Sequence, residues 1–375
     1  MGVRRTNGAA CLAAFLGVWA AARADAATVA EPIARLSLEG GYDSNALYDG
    51  RGSDRTGRIS PDLGLRLRNP RADLQMVYGG DWITYQERQS QGTWNHRGSL
   101  RLEAQPMRRL TLEGRLRAGY AFDPVGLALL GVFRSGRDSA LSADGAFRGE
   151  WRATERVEVA ATLAERTVIF SDRTGGAMHQ PGVEALWRSE RRIDVGAAYR
   201  LGVFQTFDPD ERGVAYAHAL RARGRWRATR ELQLDASAGP AMWVGSDGVA
   251  VVPEATLHVV GSSRWWDARA GAFHALGLGN TARPGLVDGL ELAGVRRVGL
   301  RWSFRGDAGI WRSGRAPSGG DAVTGYAVGG EAALLVGGGV RLALRATHLA
   351  RVDEPSDALR RTTLGLRLGW ELPLR

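Results

Sequence analysis

The sequence predicts an all-β fold, a transmembrane antiparallel up-and-down β-barrel of about 18 strands, within a range of roughly 16–18. Residues 1–26 are expected to form a signal peptide, and residues 27–375 a single barrel domain. Three features support this prediction. Tryptophans recur at one end of apolar strand faces, apolar and polar residues alternate along the chain, and short turns alternate with longer loops.

The recurring tryptophans are the first of these features. Six of them share the parity of the apolar residues in their own runs and close those runs: Trp151, Trp187, Trp226, Trp266, Trp302 and Trp370. Near copies of one polar segment begin at three of them, at 151–156, 187–192 and 226–231. Indole is selected at a membrane interface because its ring is apolar while its N–H is polar. We therefore expect these six side chains to form an aromatic girdle on the periplasmic side.

The second feature is an alternation of period two that runs through the whole mature chain. In the first run, Leu36, Leu38, Gly40 and Tyr42 lie on one face, and Arg35, Ser37 and Glu39 lie on the other. Later runs repeat this pattern down to 361–374, at the length of ten or more residues that a tilted membrane strand needs. The rival fold is a secreted β-propeller, whose repeat is also about 40 residues long. One charged face in every run disfavours that fold.

The third feature is the spacing of the connections. Short turns fall near 70, 107, 154, 190, 229, 262, 304 and 338, and longer loops fall near 50, 90, 130, 173, 210, 246, 281, 317 and 354. Bacterial outer-membrane barrels have short periplasmic turns and longer outer loops. The segment 367–374 also resembles their terminal assembly signal, although it ends in leucine rather than in an aromatic residue. We expect a location in the bacterial outer membrane, with membrane lipid and the barrel assembly machinery as partners.

The N-terminus has the features of a secretory signal peptide. Arg4 and Arg5 precede an apolar stretch over 9–22, and small residues at positions 22, 24 and 26 form cleavage patterns. The apolar stretch is too short to span a bilayer as a helix. Cys11 lies inside this segment. The mature chain is therefore expected to lack disulfides, thiolate metal sites and cysteine nucleophiles.

The other parity of each strand is expected to line the interior. Its candidate pore-lining arginines are Arg66, Arg68, Arg101, Arg115, Arg117, Arg148, Arg221, Arg223, Arg225, Arg227, Arg341 and Arg345. Acidic residues of the same parity are nearly as numerous. Two interpretations therefore stay open: the charges pair across strands, or the row at 221–227 forms an anion track.

A cylinder of this size leaves a water-filled channel unless a segment narrows it. The segment 121–138 is the most apolar of the predicted loops. Its constriction candidates are Leu127, Leu129, Leu130 and Phe133. Three placements are open for this loop: folded into the lumen, over the rim, or against a partner.

The histidines do not indicate a catalytic centre. His96, His218 and His274 share the lipid-facing parity near loop ends, where an interfacial ring is the ordinary explanation, and His258 faces inward. The sequence has no Ser-His-Asp arrangement of compelling spacing and no glycine-rich phosphate loop. We expect no enzymatic activity, no metal site, no cofactor and no nucleic-acid partner.

The segment Gly41-Tyr42-Asp43-Ser44-Asn45 resembles a sequence that recurs in outer-membrane β-barrel proteins of bacterial exopolysaccharide export systems. This resemblance covers the whole chain in architecture and this pentapeptide in motif. It implies a pore for polysaccharide export, partnered by a periplasmic polysaccharide export protein. The same residues are also good turn chemistry. The alternatives are a general or anion-selective diffusion porin and a non-conducting outer-membrane anchor or assembly protein.

Overall fold

The computed structural model describes residues 28–46, 52–87, 92–122, 139–189, 192–208, 213–246, 248–279, 282–315, 322–352 and 360–372. These residues form 18 strands: β1 (Val29–Asp43), β2 (Asp54–Asn69), β3 (Ala72–Tyr85), β4 (Thr93–Met107), β5 (Leu110–Ala121), β6 (Ala140–Arg152), β7 (Val157–Phe170), β8 (Gly175–Arg188), β9 (Ile193–Phe207), β10 (Gly213–Arg227), β11 (Leu232–Gly245), β12 (Gly248–Ser262), β13 (Trp266–Leu278), β14 (Pro284–Val298), β15 (Trp302–Arg315), β16 (Val323–Gly337), β17 (Val340–Arg351) and β18 (Arg361–Leu372). Within these ranges no helix is long and apolar enough to cross a membrane.

The strands close into one antiparallel barrel. Each strand pairs with the next along the chain, and β18 pairs with β1 to complete the ring. One continuous sheet excludes a propeller, which would divide into separate blades. The predicted fold class and strand number are confirmed. The predicted signal peptide lies outside the described residues.

Side-chain bridges identify the inner face of the wall. Arg225 Nη1 on β10 lies 3.5 Å from Glu158 Oε1 on β7. Strands three places apart are separated by about 14 Å along the wall, so such bridges form only on its concave side. The opposite face is apolar and open, and Leu63, Leu220 and Leu344 on it are 60–63% exposed. This outer face is the surface that lipid covers.

All six predicted girdle tryptophans lie on the outer face at the short-turn end of the barrel. Trp151, Trp187 and Trp226 lie at the ends of β6, β8 and β10 and are about half exposed. The expectation that every tryptophan closes a run was wrong for Trp266 and Trp302, which open β13 and β15. The turn before β15 lies at 299–301, where Gly299 takes a φ of 62°, rather than near 304.

We expect Trp187→Arg and Trp226→Arg to lower the free energy of unfolding. A charge near the lipid interface costs about 0–1 kcal/mol, and the loss of indole anchoring adds to it. Urea unfolding in lipid vesicles measures this change. Glu155→Gln, in the exposed turn after β6, is the control. Equal losses in the control and in the tryptophan variants would contradict an anchoring role.

The connections alternate in length less strictly than predicted. On the loop side, only four residues join β7 to β8 and only two join β11 to β12. The expectation of longer loops near 173 and 246 was therefore wrong. Gly175 and Gly248, with φ values of 141° and 110°, provide the backbone conformations that these tight turns require. Longer connections remain on that side at 44–53, 122–139 and 352–360.

Residues 41–45 close the barrel between β1 and β18. Both carboxylate oxygens of Asp43 accept hydrogen bonds from Arg361 Nε at 2.9 Å, and both side chains are buried. The amide of Asn45 donates to the Arg360 carbonyl at 2.9 Å, and its backbone N–H donates to Asp43 at 3.0 Å. A Cβ at Gly41 would clash with a backbone carbonyl of β18. The pentapeptide therefore has a structural explanation in barrel closure.

Candidate functional site in the lumen

The candidate site is the lumen, and its wall from β6 to β12 carries an ion-pair network near the short-turn end. Glu158 on β7 is buried and pairs with Arg188 of β8, and it lies 3.7 Å from Arg148 Nη2 of β6. Arg148 Nη1 also lies 2.6 Å from Glu184 Oε2 of β8. Buried carboxylates require such partners because an unpaired charge is costly in a water-poor site. Paired side chains therefore occupy the luminal space next to this part of the wall.

A second buried carboxylate lies higher on the same wall. Glu254 of β12 accepts hydrogen bonds from Arg200 Nη2 at 2.6 Å and from Arg221 Nε at 3.0 Å. It also accepts the backbone N–H of Leu276 at 2.8 Å. Gln180 bridges the same group, because its Oε1 accepts from Arg200 at 3.2 Å. Glu254 thus links β9, β10 and β12 to β13.

The arginine row on β10 is paired at every position. Its ion pairs are Arg221–Glu254, Arg223–Glu184, Arg225–Asp235 and Arg227–Asp194. The first three arginine side chains are only 11–16% exposed. The row faces the interior, but its charges are neutralised by neighbouring strands.

Above this network the inner wall becomes apolar. Phe204 of β9, Ala217 of β10, and Ala241 and Trp243 of β11 form a buried cluster, although their parity is that of the luminal charges. The rings of Phe204 and Trp243 lie 5.3 Å apart between centroids. Leu276 of β13 packs against the same cluster. An apolar surface of this kind on the inside of a pore requires a cover.

The cover is a hairpin that turns into the lumen, called the inward hairpin below. It consists of residues 275–279, at the end of β13, and residues 282–287, at the start of β14. The pairing of β12 with β13 stops at Ala255 and His274, although both strands continue toward the loop side. Beyond that point Leu276 has no β12 backbone partner. Its N–H donates to Glu254, and its carbonyl accepts from Gln180 Nε2 on β8 at 3.2 Å. The side chains of Glu254 on β12 and Gln180 on β8 thus replace the missing backbone partners.

The tip of the inward hairpin reaches the far side of this sector. Ala282 is fully buried against Ala140 of β6 and against Val168 and Phe170 of β7. Arg283 Nη2 lies 2.5 Å from Asp208 Oδ2, just beyond β9. The hairpin therefore crosses the lumen from β13 to β6 and closes the sector above β6–β12.

Among the described residues, the inward hairpin is the element that narrows the lumen. The candidates Leu127, Leu129, Leu130 and Phe133 lie outside the described residues. Sequence reasoning missed the inward hairpin. A usable signal was present in the apolar residues at luminal parity on β9–β11, which break the polar lining.

The remaining predicted arginines lie on the other part of the wall. Arg66 bonds Asp73 at 2.9 Å, Arg101 bonds Glu103 at 3.0 Å, Arg341 bonds Glu331 at 2.7 Å, and Arg345 is half-buried. Arg68, Arg115 and Arg117 are exposed on the luminal side. Arg101 and Arg115 lie directly opposite one another on β4 and β5. In the described part of the chain, Arg115 and Arg117 form no ion pair.

The histidines on the outer wall form cross-strand pairs near the loop side. Nδ1 of His96 lies 2.7 Å from the Tyr78 hydroxyl, and Nδ1 of His218 lies 2.8 Å from the Tyr199 hydroxyl. These pairs lie where an interfacial ring was expected. The described residues hold no group of three or more His, Cys, Asp or Glu side chains that could bind a metal ion.

Comparison with known proteins found solved structures with low similarity and no match in sequence. No protein-family model matches the chain, and no curated protein matches it in sequence. The structures of Pseudomonas aeruginosa OpdQ, at 9% identity, and of OccK2 (OpdF) in complex with glucuronate, at 12%, each give a TM-score of 0.43 over 92% of this chain and 98% of theirs. Acinetobacter baumannii OccAB3 gives a TM-score of 0.40 at 9% identity, over 91% of this chain and 99% of its own.

The chain has the fold of an outer-membrane β-barrel. Its even number of antiparallel strands, its closed sheet and its apolar outer face are the features of that class. The architecture agrees with the predicted location in the bacterial outer membrane.

Proposed function

We propose that the chain is a diffusion pore for small solutes, with a preference for anions. The observation that supports this function best is the inward hairpin, which closes the sector above β6–β12. A long polymer needs a continuous wide lumen, whereas small solutes can use the sector along β14–β18 and β1–β5 that the hairpin leaves. Polysaccharide export, with its periplasmic export protein, has less support because the pentapeptide that suggested it serves barrel closure.

Arginines of the open sector support the preference for anions. Arg101 has a side chain that is 70% exposed, and Arg115 lies opposite it with no carboxylate partner in the described part of the chain. Arg117 follows on the same face of β5. Unpaired guanidinium groups on a pore wall raise the local concentration of anions. The paired row on β10 lies in the closed sector and contributes little to this field.

Planar-bilayer recording of the purified full-length chain tests both parts of the proposal. We expect small, stable conductance steps and a reversal potential that indicates anion preference in a salt gradient. Arg115→Gln with Arg117→Gln should reduce that preference, because glutamine keeps hydrogen-bonding capacity and removes charge. A barrel that conducts no ions would contradict the pore function.

The matched control changes an arginine in the closed sector. Arg223→Gln should leave the reversal potential unchanged, because Arg223 is paired with Glu184 and its side chain is only 16% exposed. A larger shift from this control than from the β5 variant would place the anion path on β10 instead.

A further inference from the structure

The outer wall has a notch at the place where the inward hairpin leaves it. A cavity of about 580 Å³ opens toward the lipid between β12 and β16. Leu257, Ala272, Leu290 and Ile310 form its apolar floor. The cavity lies where the pairing of β12 with β13 ends, at Ala255 and His274, and where the inward hairpin begins. The floor suits an apolar chain.

A polar row crosses the notch on its loop side. Four side chains on consecutive strands lie directly opposite one another in register: His274, Asp288, Arg312 and Thr324. All four have the outward parity and line the cavity. The row immediately below them in register is Ala272, Leu290 and Ile310. The lining of the notch therefore changes from apolar to polar over two residues along each strand.

Among the described residues, Arg312 is the charge in this row that has no protein partner. Its opposite residue, Asp288, is engaged by His274, whose Nδ1 lies 2.5 Å from Asp288 Oδ1. In the described part of the chain no carboxylate lies within ion-pair distance of Arg312, which is exposed. An arginine on the lipid-facing wall is costly at the bilayer midplane and tolerated near the interface. The row therefore marks the level of the lipid headgroups.

We propose that this notch binds a phosphate-bearing lipid of the loop-side leaflet. Arg312 pairs with the phosphate, for which guanidinium offers two parallel N–H donors, and one acyl chain lies on the floor over Ala272. A neutral headgroup would leave the arginine unpaired beside the bilayer, which is unfavourable. The site lies on the outer wall, so the proposal does not depend on whether the barrel conducts.

A second groove on the outer wall provides an internal comparison. It has a volume of about 640 Å³ and lies over β17, β18 and β1–β3. Its outward lining is apolar apart from Thr84, with Leu38, Ile59, Trp82 and Leu366 among its residues, and no arginine of outward parity borders it. A side chain at Gly40 would meet no atom within 4 Å. Gly40→Leu therefore fills this groove without strain.

The test titrates the purified full-length barrel, in a neutral detergent, with three probes: bisphosphorylated lipid A, the same lipid without phosphates, and inorganic phosphate. We expect the phosphorylated lipid alone to raise the thermal unfolding temperature and to be retained in native mass spectrometry. Arg312→Gln and Ala272→Leu should each weaken its binding by about tenfold or more. Gly40→Leu should bind as the wild type does.

A conservative variant distinguishes the effect of the arginine's charge from a general effect of substitution on folding. Arg312→Lys keeps the charge but not the two-donor geometry, so its affinity should fall between those of the wild type and Arg312→Gln. Equal affinity for Arg312→Gln and the wild type would overturn the proposal. Equal stabilisation by the dephosphorylated lipid would also overturn it, because it would show an apolar groove without headgroup recognition.

Discussion

Replacement of Glu254 by alanine is expected to lower the free energy of unfolding by about 3–5 kcal/mol, the range for breaking a buried ion pair from one side. The Glu254 side chain is fully buried, and those of Arg200 and Arg221 are 21% and 11% exposed. The change leaves two guanidinium groups without a carboxylate. It also removes the acceptor for the Leu276 N–H, so the inward hairpin should loosen. Urea unfolding in lipid vesicles measures the stability, and planar-bilayer conductance should rise in the barrels that fold.

Two further variants serve as controls for Glu254→Ala. Glu254→Gln keeps an oxygen that can accept the Leu276 N–H, so we expect it to lose stability but to keep the conductance of the wild type. Glu371→Ala breaks the pair with Arg35, whose side chains are 63% and 43% exposed, and should cost no more than about 1 kcal/mol. A loss at Glu254→Ala as small as that at Glu371→Ala would show that Glu254 does not organise the wall.

The second large effect is expected at the seam where the barrel closes. Asp43→Ala leaves Arg361 buried without its carboxylate, and their side chains are only 2% and 3% exposed. We expect a loss of about 3–5 kcal/mol in the free energy of unfolding. Hydrogen exchange should rise along β1 and β18 more than along the distant pair β9 and β10, because the lost ion pair joins β1 to β18 at the loop-side end of their ladder.

A half-exposed pair on the inner wall supplies the control for Asp43. Asp73→Ala removes the partner of Arg66, whose side chain is 37% exposed, so water can solvate the arginine that remains. Its effect on stability should be clearly smaller. Uniform exchange along all strands in Asp43→Ala would argue against a local role of this pair in closure.

The sequence was sufficient for the wall of the barrel because membrane and water act on alternate residues. Lipid on one side and a wet interior on the other impose period two, and the parity of Leu220 against Arg221 already shows which side each faces. Partners across the interior were not predictable in this way. The pair of Arg225 with Glu158 joins β10 to β7, and such a pairing depends on wall curvature that no local pattern encodes.

The inward hairpin could not be derived from parity for a related reason. Leu276 has the same parity as Ala272 and His274, which face the lipid, and its apolar character fits that environment equally well. The bend after His274 directs the same face of β13 toward the inner wall of β9–β11. Period two describes which side of a strand a residue occupies, but not which way that strand later turns.

In this barrel the perimeter and the width of the open channel are set separately, although both would follow from strand number in an empty barrel. Eighteen strands fix the perimeter of the barrel through its backbone ladder, but the cross-section left to water depends on the side chains packed beneath the hairpin. Ala217 and Ala241 are small residues in that packing. Substitutions at these positions change how the hairpin packs against the wall, but they leave the hydrogen bonds between strands intact. The aperture of such a barrel can therefore be retuned during evolution while its circumference, and its fit to the bilayer, stay constant.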